Sequence, residues 1–319
     1  TLNLLLLALG LASMAFVLIA RDQVHRAFER DLAGIDVVVG AKGSPMQLIL
    51  AGVFHIDVPP GNIPLAEVQR LAQHPQVAKL IPLSLGDNLQ GFRIVGTTPD
   101  YAAHYGAQLA RGALWSTPMQ AVLGAQVASR TGLQPGQAFE GAHGLGAGGA
   151  MHGETPYTVS GVLAPCGCVL DRLVLTATES VWQVHDDMHA GDQMDEAERL
   201  ELAEALADER EVTLALITYN TPLAAVSFPR FINSTTSMQA AAPALEITRL
   251  LSMVGVGTQV LQGLGAVLLG VAALSVFIAF WSAVRERQGD LAMLRMLGAP
   301  AARVALVLLC EALWLAALA

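Results

Sequence analysis

Apolar runs divide the chain. Thr1–Ala20 carries no charge and stops at Arg21-Asp22, and about 20 apolar residues suffice to cross a bilayer as a helix. Leu250–Val284 holds no Asp, Glu, Lys or Arg over 35 residues. As a helix it would be about 52 Å long, against a hydrocarbon core of about 30 Å. It is therefore predicted to project beyond the bilayer as a stiff rod. Val304–Ala319 is apolar except for Glu311. Between the second and third runs lies Arg285–Ala299, RERQGDLAMLRMLGA, too short for a domain. Arg285, Arg287, Arg295 and Arg303 put this short loop on the cytoplasmic face. Leu291, Leu294 and Gly298 recur at helical spacing, with Arg287, Asp290 and Arg295 on other faces. That pattern predicts an amphipathic helix at the membrane surface, open to a cytoplasmic partner.

The two crossings leave 21–248 on the far side of the membrane, since long loops translocate regardless of charge. With about 225 residues the segment can bury its own core, as two subdomains. Gln23–Leu32 continues the first helix, with Val24, Phe28 and Leu32 on one face. Ile35–Val39 is a β-branched strand, Gly40–Pro45 a turn, and Met46–Ile56 a second strand-like stretch. The turn is not a phosphate loop, because no Gly-Lys-Ser/Thr follows four spacer residues after a glycine. After the break at Pro59–Pro64, Leu65–Gln73 is predicted helical, and Val77–Ser84 and Gly91–Gly96 are predicted strands. Val127, Thr131 and Leu133 close a helix before the Pro135-Gly136 turn, and Thr158–Leu163 alternates as a half-buried strand. Gly141–Gly153 contains six glycines and reads as a loop without packing content. An acidic helix is expected from about Met194 to Glu209, a strand over Val212–Tyr219, and a helix over Leu223–Ile232 interrupted at Pro229. From Pro243 the pattern is helical through Val284.

Composition agrees. The chain is 53% hydrophobic and 14% charged, with mean hydropathy +0.49; soluble domains carry about 25% charged residues. The net charge of −9 leaves no basic patch for phosphates and excludes a nucleic-acid partner. Three cysteines cannot build a disulfide framework. For Thr1–Ala20 a cleaved signal peptide is the rival reading, but the positive n-region and shorter apolar core it needs are not visible. We read it as the first membrane helix.

Candidate chemistry is sparse. His143, His152, His185 and His189 lie near Cys166 and Cys168 in sequence, and imidazole with thiolate suits zinc or copper(I). Against this, Cys-Gly-Cys is tighter than a zinc knuckle, and a Cys166–Cys168 bond would close a strained ring, so two ordinary residues in a turn are expected and no metal is assigned. Glu311 is a functional candidate because a carboxylate inside a membrane is costly; a helix-packing or interfacial role competes with a proton relay. Gly255, Gly257, Gly263, Gly265 and Gly270 suggest a helix–helix or dimer seam. Phe228-Pro229-Arg230-Phe231 could face a partner or edge the core. Asp186 and Asp187 are adjacent and point apart. No Ser-His-Asp or paired-carboxylate set stands out, so no catalytic residue is assigned.

One segment also carries a family resemblance. Glu286, Arg287, Leu291, Leu294, Arg295, Leu297, Gly298 and Ala299 resemble the pattern "E-R-x-x-x-apolar-x-x-L-R-x-L-G-A" that follows the second membrane helix of FtsX/MacB/LolC-like ABC transporter permeases. The stretches AVLGAQVASRTGLQPGQAF and YTVSGVL, within Ala121–Leu163, resemble the MacB-type periplasmic domain. The resemblance implies an α+β periplasmic domain, 21–248, with an inserted subdomain at about 116–180, on an all-α transmembrane bundle. That bundle would comprise 1–20, 249–284 and 303–319, with a cytoplasmic coupling helix at 285–299. The family has a fourth helix, so the sequence reads as truncated before it. The resemblance further implies a bacterial inner-membrane permease that binds no cofactor directly and uses ATP and Mg through a cytoplasmic ABC ATPase partner. It would work as a homodimer or paired permease, in contact with lipid and with a periplasmic or outer-membrane partner protein, by mechanotransmission. Glu286, Arg287, Leu291, Leu294, Arg295, Leu297 and Gly298 would then be the ATPase-coupling residues. The alternative is a membrane-anchored periplasmic sensor or metal-binding protein using the His/Cys cluster.

Overall fold

The structure, a computed structural model, describes residues 2–144, 155–190 and 210–317. They fall into two compact bodies, one of Ala27–Arg249 and one of Thr1–Arg26 with Leu250–Ala319.

An 11-stranded sheet runs through the body Ala27–Arg249. One half is antiparallel, in the order β13 (Met238–Ala241), β1 (Val37–Ala41), β12 (Leu214–Tyr219) and β3 (Val77–Leu89). The other half continues through β4 (Phe92–Thr97), β10 (Val174–Ala177), β6 (Gln120–Leu123), β9 (Tyr157–Leu163) and β5 (Leu109–Gly112), with parallel pairs at β4–β10 and β6–β9. Short strands β7 (Ala138–Phe139) and β8 (Ala142–His143) pair with β9 and β3, and β2 (Ile63–Pro64) pairs with β11 (Glu211–Val212) apart from the main sheet. The long β3 belongs to both halves: Val77–Leu83 pairs with β12 and Leu83–Leu89 with β4. The chain reverses into β4 at Gln90-Gly91, both at positive φ (51° and 88°), as a two-residue type I′ hairpin requires.

Each half has its own core. In the first, Val37, Val39, Ala215 and Ile217 meet Val68 and Leu71 of α3 (Leu65–Ala72) and Phe228 and Ile232 of α7 (Ala224–Thr235). In the second, Ile94, Leu123, Val159 and Val174 meet Val127 of α5 (Ala125–Thr131) and Val184 of α6 (Thr178–Ala190). Strands from both ends of 21–248 build the first half, and 116–180 supplies β6, β9, β10 and α5 to the second. The two lobes expected from sequence thus share one hydrogen-bonded sheet.

Two local expectations are corrected. Met46–Ile56 is not a strand, because α2 (Pro45–Gly52) occupies it. Ser44 caps that helix, its hydroxyl accepting the Gln47 N–H at 3.4 Å, and Pro45 fills the first helical position. Leu48, Ile49, Ala51 and Gly52 are all buried, and a helix buried on most sides gives the same apolar run as a buried strand. The second correction is Pro229, which sits inside α7 without ending it. An internal proline costs about 3 kcal/mol. Phe228 and Ile232, four residues apart and 0% exposed, offset this at about 1.5–3 kcal/mol each. The helix expected at Met194–Glu209 lies outside the described residues apart from its approach, as does 145–153 of the glycine-rich loop.

The second body is helical. It takes the start of α1 (Leu2–Leu32), most of the 44-residue α8 (Pro243–Glu286), α9 (Gln288–Met296) and α10 (Ala301–Ala317). Among the described residues, Gly265–Glu286 is the one segment long and apolar enough to cross a membrane. Val267, Leu274, Phe277 and Trp281 on it are more than half exposed, as a lipid-facing surface would be. Gly265 is buried and lies against α1, where an added Cβ would sit 3.6 Å from Met14 Sδ, whereas Gly263 and Gly270 have open space. The surroundings of Gly255 and Gly257 lie outside the described residues.

Candidate functional site

The segment between α8 and α10 is a connector whose helix is closed at both ends by main-chain hydrogen bonds. Helix α8 ends at Glu286, and Arg287 leaves helical geometry (φ −96°, ψ 13°) while its carbonyl accepts the Leu291 N–H at 3.0 Å. At the other end the Leu297 N–H donates to the Met293 carbonyl (3.0 Å), the Gly298 N–H to Arg295 (3.1 Å) and the Ala299 N–H to Leu294 (3.1 Å). With Gly298 at φ 96°, this is a Schellman closure, which needs a left-handed residue where glycine stands. The next residue, Pro300, offers its carbonyl to the N–H groups of Arg303 and Val304 and so opens α10. Leu297-Gly298-Ala299-Pro300 is therefore one tight helix–helix turn.

Within this frame no residue of α9 is buried. Leu294 is 49% exposed, Met293 60%, Leu297 80% and Met296 82%. Large apolar side chains thus stand exposed on a short helix closed at both ends by main-chain hydrogen bonds, and an exposed apolar cluster of this kind is a candidate contact surface. Leu291 is half-buried, and Glu286, Arg287, Asp290 and Arg295 are exposed around the cluster. The structure places the sequence candidates differently: Leu294 and Leu297 are exposed, whereas Gly298 closes the turn. Met293 and Met296 join the surface and were not singled out from sequence, although their spacing of three was the available signal; methionine suits an adaptable contact.

The outer candidates are arranged differently from expectation. Cys166 and Cys168 form a disulfide, their Cα atoms 5.1 Å apart, within the usual range. The expectation of two ordinary cysteines is corrected by three local features. Gly167 turns at φ 65°, the Asp171 carboxylate accepts the N–H groups of Cys166 (3.0 Å) and Gly167 (2.8 Å), and Arg30 donates to the Gly167 carbonyl. No thiolate is left there for a metal. His143 Nδ1 lies 3.3 Å from Oδ1 of Asp87, which is 1% exposed. His152 is outside the described residues, and His185 and His189 lie on α6, their side chains outside them. Among the described residues no three His, Cys, Asp or Glu side chains gather to hold a metal. Glu311 lies on α10 and Asp186 and Asp187 on α6, all with side chains outside the described set. Phe228 belongs to the core, its ring 5.2 Å from His74 and 5.7 Å from Tyr219.

Comparison with known proteins gives two family matches. The model of the MacB-like periplasmic core domain matches residues 1–242, and that of the FtsX-like permease C-terminal region matches residues 263–319. The fold is similar to the periplasmic region of MacB from Actinobacillus actinomycetemcomitans, at 11% identity and TM-score 0.43, over 69% of this chain and 95% of that one. It is also similar to the extracellular domain of the noncanonic ABC-type transporter YknZ from Gram-positive bacteria, at 10% identity and TM-score 0.37, over 64% of this chain and 98% of that one. No curated protein matches. Members of this family are inner-membrane permease components with a periplasmic domain and work with cytoplasmic ABC ATPases. With one family match spanning 1–242 and the other containing the whole α9 connector, this chain belongs to the FtsX/MacB-like family of ABC transporter permeases.

Proposed function

We propose that this chain docks a separate cytoplasmic ATPase on α9 and passes ATP-driven movement to the body Ala27–Arg249 on the periplasmic side. The observation that carries this reading is the capped connector, which presents Met293, Leu294, Met296 and Leu297 between two apolar helices. In this reading the leucines and methionines fill a groove on the ATPase, Glu286, Arg287, Leu291 and Arg295 form its rim, and Gly298 fixes the angle of presentation. The ATPase supplies Mg and ATP. Helices α1, α8 and α10 form the membrane bundle, paired with a second permease. At 44 residues, α8 would be about 66 Å long, twice the hydrocarbon thickness of about 30 Å, which suits a lever. The Cys166–Cys168 bond suits an oxidising compartment. The work is then done outside, on a lipoprotein, peptide, drug or partner protein, with no channel needed. The sensor or metal-binding alternative loses its thiolates to that disulfide.

Co-purification from native membranes, comparing wild type with Leu294→Asp/Leu297→Asp, tests the reading. Each leucine is worth about 1.5–3 kcal/mol when buried, so the double variant should release the ATPase almost completely. An ATPase retained equally by both proteins would refute docking on α9.

A further inference from the structure

A cavity of about 290 Å³ opens in the body Ala27–Arg249, between the segment after α2 (Phe54, His55), the β3–β4 hairpin tip (Phe92, Arg93) and the 3-10 turn at Val169–Arg172. Two of its polar side chains are left incomplete. Arg93 is 7% exposed and its Nη1 has no hydrogen-bond partner. Stripping a guanidinium of water without pairing it is costly, and such groups are ordinarily partnered. Burial pulls its pKa down and the charge of Asp57 opposes this, but an arginine stays protonated. His55, 8% exposed, stands at φ 53° and has an unpartnered Nδ1, while its Nε2 lies 2.9 Å from the Tyr101 hydroxyl. A non-glycine residue in left-handed geometry is strained, and such strain concentrates at functional sites. Burial, with Arg93 and Arg172 behind it, lowers the His55 pKa to about 3, so the ring is neutral.

We propose that this cavity binds a small organic monocarboxylate with an apolar body. Its carboxylate pairs with Arg93 and Arg172, and its body lies against Phe54, Phe92 and Val169. Arg93 and Arg172 supply the positive charge an anion needs, and the apolar wall beside them suits an organic carboxylate better than phosphate. A guanidinium also presents the planar fork that matches a carboxylate. Ile56, 61% exposed, extends the apolar wall at the lining. A volume of about 290 Å³ lies at the small end of ligand sites, which run from about 300 to 1,000 Å³. None of this depends on how α9 meets an ATPase.

Calorimetric titration of the full-length protein in lipid nanodiscs, against empty nanodiscs, tests the assignment with phenylbutyrate, phenylbutanol and inorganic phosphate. The acid should bind with Kd of about 1 mM or tighter, and the alcohol about tenfold more weakly or worse. Arg93→Met should lose at least about tenfold in affinity, and Arg172→Gln, at an exposed position, several-fold. Without ligand, Arg93→Met should melt no lower than wild type, because it removes a buried guanidinium whose Nη1 has no partner; an arginine that merely held the fold would lower the melting temperature. No binding of the acid, equal binding of acid and alcohol, affinity indifferent to Arg93, or phosphate binding as tightly as the acid would each overturn the proposal.

Discussion

Gly298 offers the sharpest test of how the connector works. Its φ of 96° closes the Schellman turn, yet an added Cβ there would meet nothing within 4 Å. Gly298→Ala therefore carries no steric clash, and the whole effect comes from the backbone. An L-residue in the left-handed region costs about 1–2 kcal/mol, a factor of about 5 to 30 in the population of the capped turn. If docking needs that turn, affinity for the co-purifying ATPase falls by the same factor. Gly298→Asn should fall less, since asparagine tolerates this geometry better. Gly289, inside α9 and equally open, is the control. Gly289→Ala should strengthen the helix by about 0.5–1 kcal/mol and leave binding equal or tighter. Affinities measured by interferometry on nanodisc-held protein decide between the two. Equal losses at Gly289 and Gly298 would mean that bulk at the interface matters, not turn geometry. Wild-type binding by Gly298→Ala would refute the turn's role outright.

Two further outcomes follow from the body Ala27–Arg249. An unfolded histidine takes up a proton below about pH 6.5, whereas buried His55 stays neutral down to about 3. The unfolded state thus binds more protons between those values, and stability falls as pH falls through that window. At pH 5 the loss should be about 2 kcal/mol, read as lowered protection in hydrogen exchange around the cavity; a His55→Asn protein with the same pH slope would contradict it. At Gly124, an added Cβ would lie 2.1 Å from the Leu170 carbonyl oxygen and 2.6 Å from that of Asp171, both main-chain atoms that cannot swing away. Gly124→Ala should therefore destabilise by about 1–3 kcal/mol or more, and an unchanged melting temperature would show that the turn at Val169–Arg172 yields freely.

What the sequence reveals here depends on how locally each feature is determined. The connector is legible because arginines, two leucines and a glycine stand in fixed order between uncharged runs, so charge and spacing alone locate it. Strand β9 is legible because its first half has one less covered face, so burial alternates over 157–161 before the fully buried end at Val162 and Leu163. Helix α2 is obscured because it is buried on most sides, although Ser44-Pro45 carried the start signal. Pro229 misleads because its penalty is local while the packing of Phe228 and Ile232 that overrides it is tertiary. The Cys166–Cys168 turn is held by contacts that spacing does not show, from Arg30 and Asp171 to Gly167. The cavity at Arg93 and His55 could not be read at all, since its walls come from three segments separated by dozens of residues.

Strand β3 has a consequence for how this domain can be divided. Because a single stretch of backbone, Val77–Leu89, supplies an edge to both halves of the sheet, neither half is a cassette. Cutting the chain on either side of 116–180 would leave β4 and β3 with unsatisfied ladders, and transplanting the distal half onto a relative requires carrying β3 and its Gln90-Gly91 reversal along with it. Chimaeras that respect this boundary should express, and those that cut through β3 should be degraded, so exchange of segments between such permeases is confined to loops and to grafts that include the whole strand.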